Sequence, residues 1–223
     1  MFAKRSLKYY KNRYIGETVI VCGLGPSLKP NLGKILQYKT IGVNDIIAIF
    51  EPTFHVVAEH LRIPENIPCE LAWKRKRNLI LRSRNKHLFS VIDLPFVHSN
   101  PVKIETQPLT AHGISKLFEQ NILFKWNKSV IVAISLVLYM GFSLIGLIGI
   151  DLHGDRARSN ATNRLNMDID KLKQFDIGCE YIERWSLSNG RRIVNLSKES
   201  YVDAFDKVSF EKFERMRLHE TKT

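Results

Sequence analysis

Thr18-Val19-Ile20-Val21-Cys22-Gly23-Leu24-Gly25-Pro26-Ser27-Leu28 is the stretch that decides the fold. A β-rich apolar run ends abruptly in a glycine turn, which is how a strand buried on both faces of a parallel sheet reads. The pattern repeats downstream. Leu28 to Tyr38 suits a short helix and Thr40 to Asn44 a second strand. Asp45 is placed to cap the turn Ile46 to Phe50, and Phe54 to Ala58 gives a third strand. Strands alternating with helices predict an α/β fold of the Rossmann-like kind, a mostly parallel sheet flanked by helices. Ligands in such sheets bind outside the carboxyl ends of the strands.

Working outward, 223 residues give one well-buried core, so residues 1–223 are read as a single domain. Residues 64–108, punctuated by Pro64, Pro68, Pro95, Pro101 and Pro108, read as a partly irregular insertion or lid-like region with one or two strands, around Asn78–Leu81 and His87–Ile92. Ser129 to Ile150 carries no charge over 22 residues, the length of a membrane span. Gly141 divides it, however. Ser129 to Met140 reads as a helix and Leu144 to Ile150 as a buried strand, so soluble core is expected. A helix from about Leu165 to Trp185, a last strand Arg192 to Leu196 and a helical tail within 206–223 complete the chain. Trp73, Trp126 and Trp185 read as packing residues.

The net charge of +12 has two sources. Lys4, Arg5, Lys8, Lys11 and Arg13 precede the first acid, Glu17. Lys74, Arg75, Lys76, Arg77, Arg82, Arg84 and Lys86 lie between Glu70 and Asp93. Two basic patches would attract anionic lipid, a polyanionic acceptor or nucleic acid. No apolar stretch follows the N-terminal charges as a secretory signal requires. Cys22, Cys69 and Cys179 form neither a C-x-x-C pair nor an even set, and a cytoplasmic location, peripheral to the inner face of the membrane, is expected.

The chemistry converges on one sheet edge, where Gly23 to Ser27, Asn44 and Gly149-Ile150-Asp151 end three strands. Glycines at Gly23 and Gly25 would let backbone amides approach an anion, with Ser27 adding a hydroxyl. The turn is neither G-x-G-x-x-G nor a Walker loop, so dinucleotide and P-loop readings are excluded.

The combination of G-x-G-P-S-L after the first strand, a second strand ending in Asn44, and an apolar helix followed by Gly-Phe and G-I-D resembles the superfamily of bacterial glycosyltransferase family 42. It equally resembles the related family that includes 6-hydroxymethyl-dihydropterin pyrophosphokinases of the archaeal type. The resemblance covers roughly Glu17 to Glu59 and Ser129 to Phe205, including Asn195 to Ser200. The sialyltransferase likeness implies that Gly23, Gly25, Pro26, Ser27, Asn44, Ser129, Gly149 and Asp151 surround a CMP-linked donor sugar. Leu24 and Val130 depart from the Asn and Gly found there, which puts that particular donor in doubt.

The sialyltransferases carry a base histidine well downstream in the loop after G-I-D, whereas here that loop's one histidine is His153, two residues past Asp151. His153 and Asp151 are therefore the candidate catalytic pair. Glu59 and His60 are the next candidates for a base, and Arg156, Arg158 and Arg164 could neutralise a leaving diphosphate.

Three functions remain open. The first is a glycosyltransferase that takes a nucleotide-activated sugar and modifies a bacterial surface glycan. The second is a pyrophosphokinase with ATP and Mg²⁺, for which Asp151, His153, Asp155, Asp168 and Asp170 are possible ligands. The third is a non-catalytic nucleotide- or nucleic-acid-binding protein. No cofactor is required by the first, and metal ligands are not assigned.

Overall fold

The computed structural model describes residues 6–58, 87–91, 101–109, 113–126, 128–152 and 169–220. Seven strands form one sheet: β1 (Thr18–Cys22), β2 (Lys39–Val43), β3 (Phe54–Val57), β4 (Leu88–Ser90), β5 (Val102–Lys103), β8 (Leu144–Ile148) and β9 (Arg192–Asn195). Their order is β5-β4-β3-β2-β1-β8-β9, and every neighbouring pair is parallel. Two further strands, β6 (Thr106–Pro108) and β7 (Leu123–Lys125), pair separately. The fold is α/β with a mostly parallel sheet, as the opening strand and turn imply.

The absence of polar alternation in β1 and β8 has a direct cause. Val19, Val21, Ile145 and Leu147 face one apolar cluster, while Ile20, Cys22, Leu144 and Ile148 face another. Successive side chains point to opposite faces, so a strand covered on both sides must be apolar throughout. Burying each such side chain contributes roughly 1.5–3 kcal/mol. The first face carries helices α2 (Ile114–Glu119), α3 (Ser129–Met140) and α4 (Ile169–Ser188); the second carries α1 (Leu32–Ile35) and α5 (Phe210–Glu220). Phe213 of α5 packs where Gly146 leaves room, since a Cβ on Gly146 would stand 2.8 Å from Leu196 and 3.0 Å from Phe213.

The uncharged 129–150 segment is core. All twelve residues of α3 are buried, and the helix stops at Gly141, with φ +94°, in a Schellman cap: Phe142 N–H bonds to Val137 O and Gly141 N–H to Leu138 O. No helix among the described residues is long and apolar enough to cross a membrane. The two carbonyls left at the end of α3 are closed by the N-terminal segment, through Asn12 N–H to Tyr139 O and Tyr14 N–H to Met140 O. That segment does more than form a basic surface, because Leu7 and Tyr10 of its 3-10 turn (Leu7–Tyr10) are buried in the core.

Several expected boundaries shift. The Leu28–Tyr38 helix is a 3-10 turn, Lys29–Asn31, followed by the single α-turn α1; Pro30, which has no N–H, sits at its start. Asn44 lies just outside β2 and opens a 3-10 turn, Asn44–Ala48, so Asp45 is inside that turn rather than its cap. The strand from Leu144 ends at Ile148, because Gly149 takes φ +68°. Within 64–108, β4 and β5 extend the main sheet, whereas Asn78–Leu81 and the basic run from Lys74 to Lys86 lie outside the described residues.

Candidate functional site

β1 has β2 on one side and β8 on the other, so the chain reverses its direction of travel across the sheet between β1 and β8. In open α/β sheets the ligand crevice lies outside the carboxyl ends of the strands at this point. Here those ends are the Gly23–Ser27 turn and Gly149-Ile150-Asp151.

The two loops are bolted together. Gly23 N–H donates to Ile148 O at 2.8 Å and Gly25 N–H to Gly149 O at 2.6 Å. Ser27 donates twice to Asp151 Oδ2, from its N–H at 3.0 Å and its hydroxyl at 2.9 Å, and its Oγ accepts the Gly149 N–H at 2.9 Å. The Ser197 hydroxyl, beyond β9, donates to Asp151 Oδ1. Asp151 is fully buried, with both oxygens engaged. Beyond it Leu152 is held at φ +60°, an uncommon conformation for leucine, while Tyr201 N–H donates to Asp151 O at 3.0 Å.

This geometry shows where the amides of the turn are engaged. The amides of Gly23, Gly25 and Ser27 point at the β8 loop instead of outward at an anion, and Pro26 has no amide to offer. The glycines serve close approach: a Cβ on Gly25 would overlap the Asp151 carboxylate and stand 2.8 Å from Gly149 O, and one on Gly149 would stand 2.6 Å from Gly23 O. Asp151, expected as a catalytic residue, has both carboxylate oxygens hydrogen-bonded and ties the ends of β1, β8 and β9 together.

One strand along, Asn44 takes φ +49° and its side chain bridges two elements. Its Nδ2 donates to Ser129 Oγ, at the start of α3, at 3.1 Å, and its Oδ1 accepts the Ala58 N–H, beyond β3, at 3.1 Å. Its carbonyl receives Nε2 of the buried His55 at 2.6 Å. Sequence reasoning found Asn44 and Ser129 but not His55, which reads as an ordinary residue of a buried strand; a lone histidine in an apolar run was the available signal.

Two clefts flank these groups. One, of about 460 Å³, opens between α1, the Ser197 loop and the start of α5; Pro26, Ser27 and Asp151 contribute to it, and Lys34, Lys198, Glu199 and Glu211 also line it, Lys34 pairing with Glu211 at 3.7 Å. The other, of about 410 Å³, lies against Ser129 and Ala58 and presents Lys125, Lys128 and Trp126; among the described residues its wall holds no acidic side chain. The indole N–H of Trp126 is anchored to Gln174 O at 3.0 Å.

The structure thus divides the candidate residues into two linked groups: Gly23, Gly25, Pro26, Ser27, Gly149 and Asp151 around the brace, and Asn44 with Ser129 beside the basic cleft. His153, Glu59, His60, Asp155, Arg156, Arg158, Arg164 and Asp168 lie outside the described residues. Among the described residues no three His, Cys, Asp or Glu side chains come together as a metal site. Cys22 and Cys179 are buried free thiols, their pKa values raised by burial.

No protein-family model matches the chain, and no curated protein does. Among solved structures it is similar to the MAf glycosyltransferase from Magnetospirillum magneticum AMB-1, with a TM-score of 0.57 and 12% identity over 98% of this chain. It spans 41% of that protein's length. It also matches the sialyltransferase CstII from Campylobacter jejuni. The CMP-3FNeuAc complex gives a TM-score of 0.48 at 13% identity over 86% of each chain, and the cytidine-5'-monophosphate complex gives 0.43 at 13% identity over 86% and 85%. At these identities the likeness is one of fold, and the chain has a fold that glycosyltransferases use.

Proposed function

We propose that the chain is a glycosyltransferase that takes a nucleotide-activated sugar, CMP-linked among the candidates, and transfers the sugar to a surface glycan. The observation that carries this reading is the pair of clefts beside the strand ends, one lined in part by the braced turn and the other by Ser129, with unlike charge among their described lining residues. The basic one, with an indole beside Lys125 and Lys128, suits a nucleotide: cations answer phosphate, and an aromatic face answers a base or sugar ring. Ser129 and Ala58 line it, and the Asn44 carboxamide is hydrogen-bonded to both. The other cleft balances two ammonium groups against two carboxylates, which suits a hydroxyl-rich acceptor whose groups both donate and accept.

In this reading the brace has a mechanistic purpose. Asp151 fixes the exit of β8, and His153 follows two residues later as the proposed base for the acceptor hydroxyl. The base must be held within hydrogen-bond reach of the proton it removes. The basic N-terminal segment and the Lys74–Lys86 run would keep the enzyme near anionic lipid at the membrane surface.

A thermal-shift screen with CMP, CDP, UDP, GDP and ATP, each with and without Mg²⁺, tests the donor. A ligand bound only by the folded state raises the melting temperature with concentration. The reading expects a nucleotide of the sugar-donor kind to do so without Mg²⁺; a response to ATP with Mg²⁺ alone would favour pyrophosphoryl transfer instead.

A further inference from the structure

His55 is out of place by composition. It lies in β3 among Phe54, Val56 and Val57, all buried, and it is itself completely buried. An apolar residue would fill the position without a polar penalty. The imidazole nevertheless makes a strong contact, Nε2 to the carbonyl of Asn44 at 2.6 Å, and its Nδ1 has no hydrogen-bond partner among the described residues. A carbonyl can only accept, so Nε2 carries a proton, and burial favours the neutral ring over the charged one. Leaving a buried nitrogen unpaired costs about 1–3 kcal/mol, and such groups call for an explanation.

The explanation lies in Asn44. Its φ of +49° falls in the left-handed region, which asparagine tolerates but does not prefer. In that conformation the carboxamide spans the gap between Ala58 N–H and Ser129 Oγ, tying β2, β3 and α3 together at the edge of the basic cleft. We infer that His55 is a positioning residue: by holding the Asn44 carbonyl it fixes the left-handed turn that aims the carboxamide, and through it sets the donor pocket. The inference rests on the donor reading above only in its last clause.

Protonation would undo this. A second N–H at Nδ1 would face no acceptor, and the charge would be buried. Among the described residues, the charged group that acts on the ring is Asp45, from the turn after β2. The strand neighbours in register are Gly42 on β2 and Leu88 on β4, neither titratable. Burial outweighs the Asp45 carboxylate and the Asn44 carbonyl and holds the imidazole pKa below its ordinary value.

The test compares His55→Gln, whose side-chain amide can replace the Nε2 donor, with His55→Leu, which cannot. The first readout needs no nucleotide: hydrogen exchange of the Ala58 amide, which is bonded to the Asn44 carboxamide. Its protection should survive in His55→Gln and be lost in His55→Leu, while the amides of β1 and β8 stay protected in both. A ¹⁵N spectrum of the wild type should show the Nε2–H tautomer. The second readout is affinity for CMP, or for whichever nucleotide stabilises the wild type. It should weaken about tenfold or more in His55→Leu and stay near wild type in His55→Gln, the scale of one positioned hydrogen bond. Equal Ala58 protection in wild type and His55→Leu, or an Nδ1–H tautomer, would overturn the positioning role. If Asn44→Ala leaves nucleotide affinity unchanged, the donor reading fails, and the exchange and tautomer measurements still decide what His55 does.

Discussion

The Ser27 hydroxyl donates to Asp151 Oδ2 at 2.9 Å across 124 positions of sequence, and the same oxygen accepts the Gly149 amide. One side chain thereby links the turn after β1 to the loop after β8 at the point where the sheet's topology reverses. Its removal leaves a buried carboxylate short of a donor and a buried amide short of an acceptor.

Ser27→Ala is expected to destabilise the protein by about 1–3 kcal/mol, the range for leaving buried polar groups unpaired. Urea unfolding checks this, and a loss below about 0.5 kcal/mol, typical of surface substitutions, would mean that the brace is ornamental. Ser197→Ala acts on the other carboxylate oxygen, in direct contact with the same Asp151, so the double variant should not be additive.

Gly25→Val should fail to give a native fold, because its Cβ overlaps the Asp151 carboxylate and the Gly149 backbone. The mild outcome, a folded protein with weakened nucleotide binding, belongs to a phosphate-cradling glycine and not to this one. Soluble yield and the melting curve of Gly25→Ala, the smallest possible change, distinguish the two.

Two groups give opposite pH trends. His55 has a lowered pKa, chiefly from burial, so below its ordinary value of 6.5 the unfolded chain binds a proton that the folded one refuses. Stability from His55 is complete above that pH and falls as pH drops, by at most about 1.4 kcal/mol per unit. Glu183, half-buried near Asp206, has a pKa pushed up to about 7, mainly by burial. The folded chain there holds a proton that the unfolded one releases, so its contribution is present at low pH and is lost as pH rises from 4.5 towards 7. Subtracting the stability profile of His55→Gln from that of wild type isolates the histidine. A flat difference between pH 5 and 7 would contradict the buried neutral ring.

Gly141→Ala should lower stability by about 1 kcal/mol or more, because φ +94° is strained for any residue with a Cβ and the new methyl would stand 3.0 Å from Asn12. Thermal denaturation measures it. No change would mean that the end of α3 and the N-terminal segment can separate without consequence.

What the sequence disclosed and what it hid follow from the range of the forces. β1 with its turn, α3 and its glycine stop, and the strand at Leu144 were legible, because apolar periodicity and glycine punctuation are local signals. The N-terminal 3-10 turn was hidden: the lysines and arginines in and around it advertise a surface, while Leu7 and Tyr10, too few to make a pattern, hold it in the core. The pairing of β6 with β7 involves three residues each and leaves no periodic trace. At the site, Asn44, Ser129 and the glycines were found as residues, but their wiring was not. Ser27 to Asp151, Ser197 to Asp151 and His55 to Asn44 are tertiary bonds, and nothing in local composition announces which hydroxyl meets which carboxylate. The glycines show the consequence: the turn looked built for an anion, and close approach of two loops explains the same residues.

A carboxyl edge beside Asn44 and Ser129 that binds and activates a sugar nucleotide, as proposed, should also cleave it slowly without an acceptor. The most direct measurement is release of free nucleotide from CMP-, UDP- and GDP-sugars by the purified protein without acceptor, in wild type and in Asn44→Ala, with ATP, Mg²⁺ and a hydroxymethylpterin run alongside. Slow, saturable cleavage of one class of sugar nucleotide is expected, falling at least about tenfold in Asn44→Ala, the scale of losing a positioning hydrogen bond. Intact sugar nucleotides throughout, together with conversion of ATP to AMP in the pterin reaction, would contradict it.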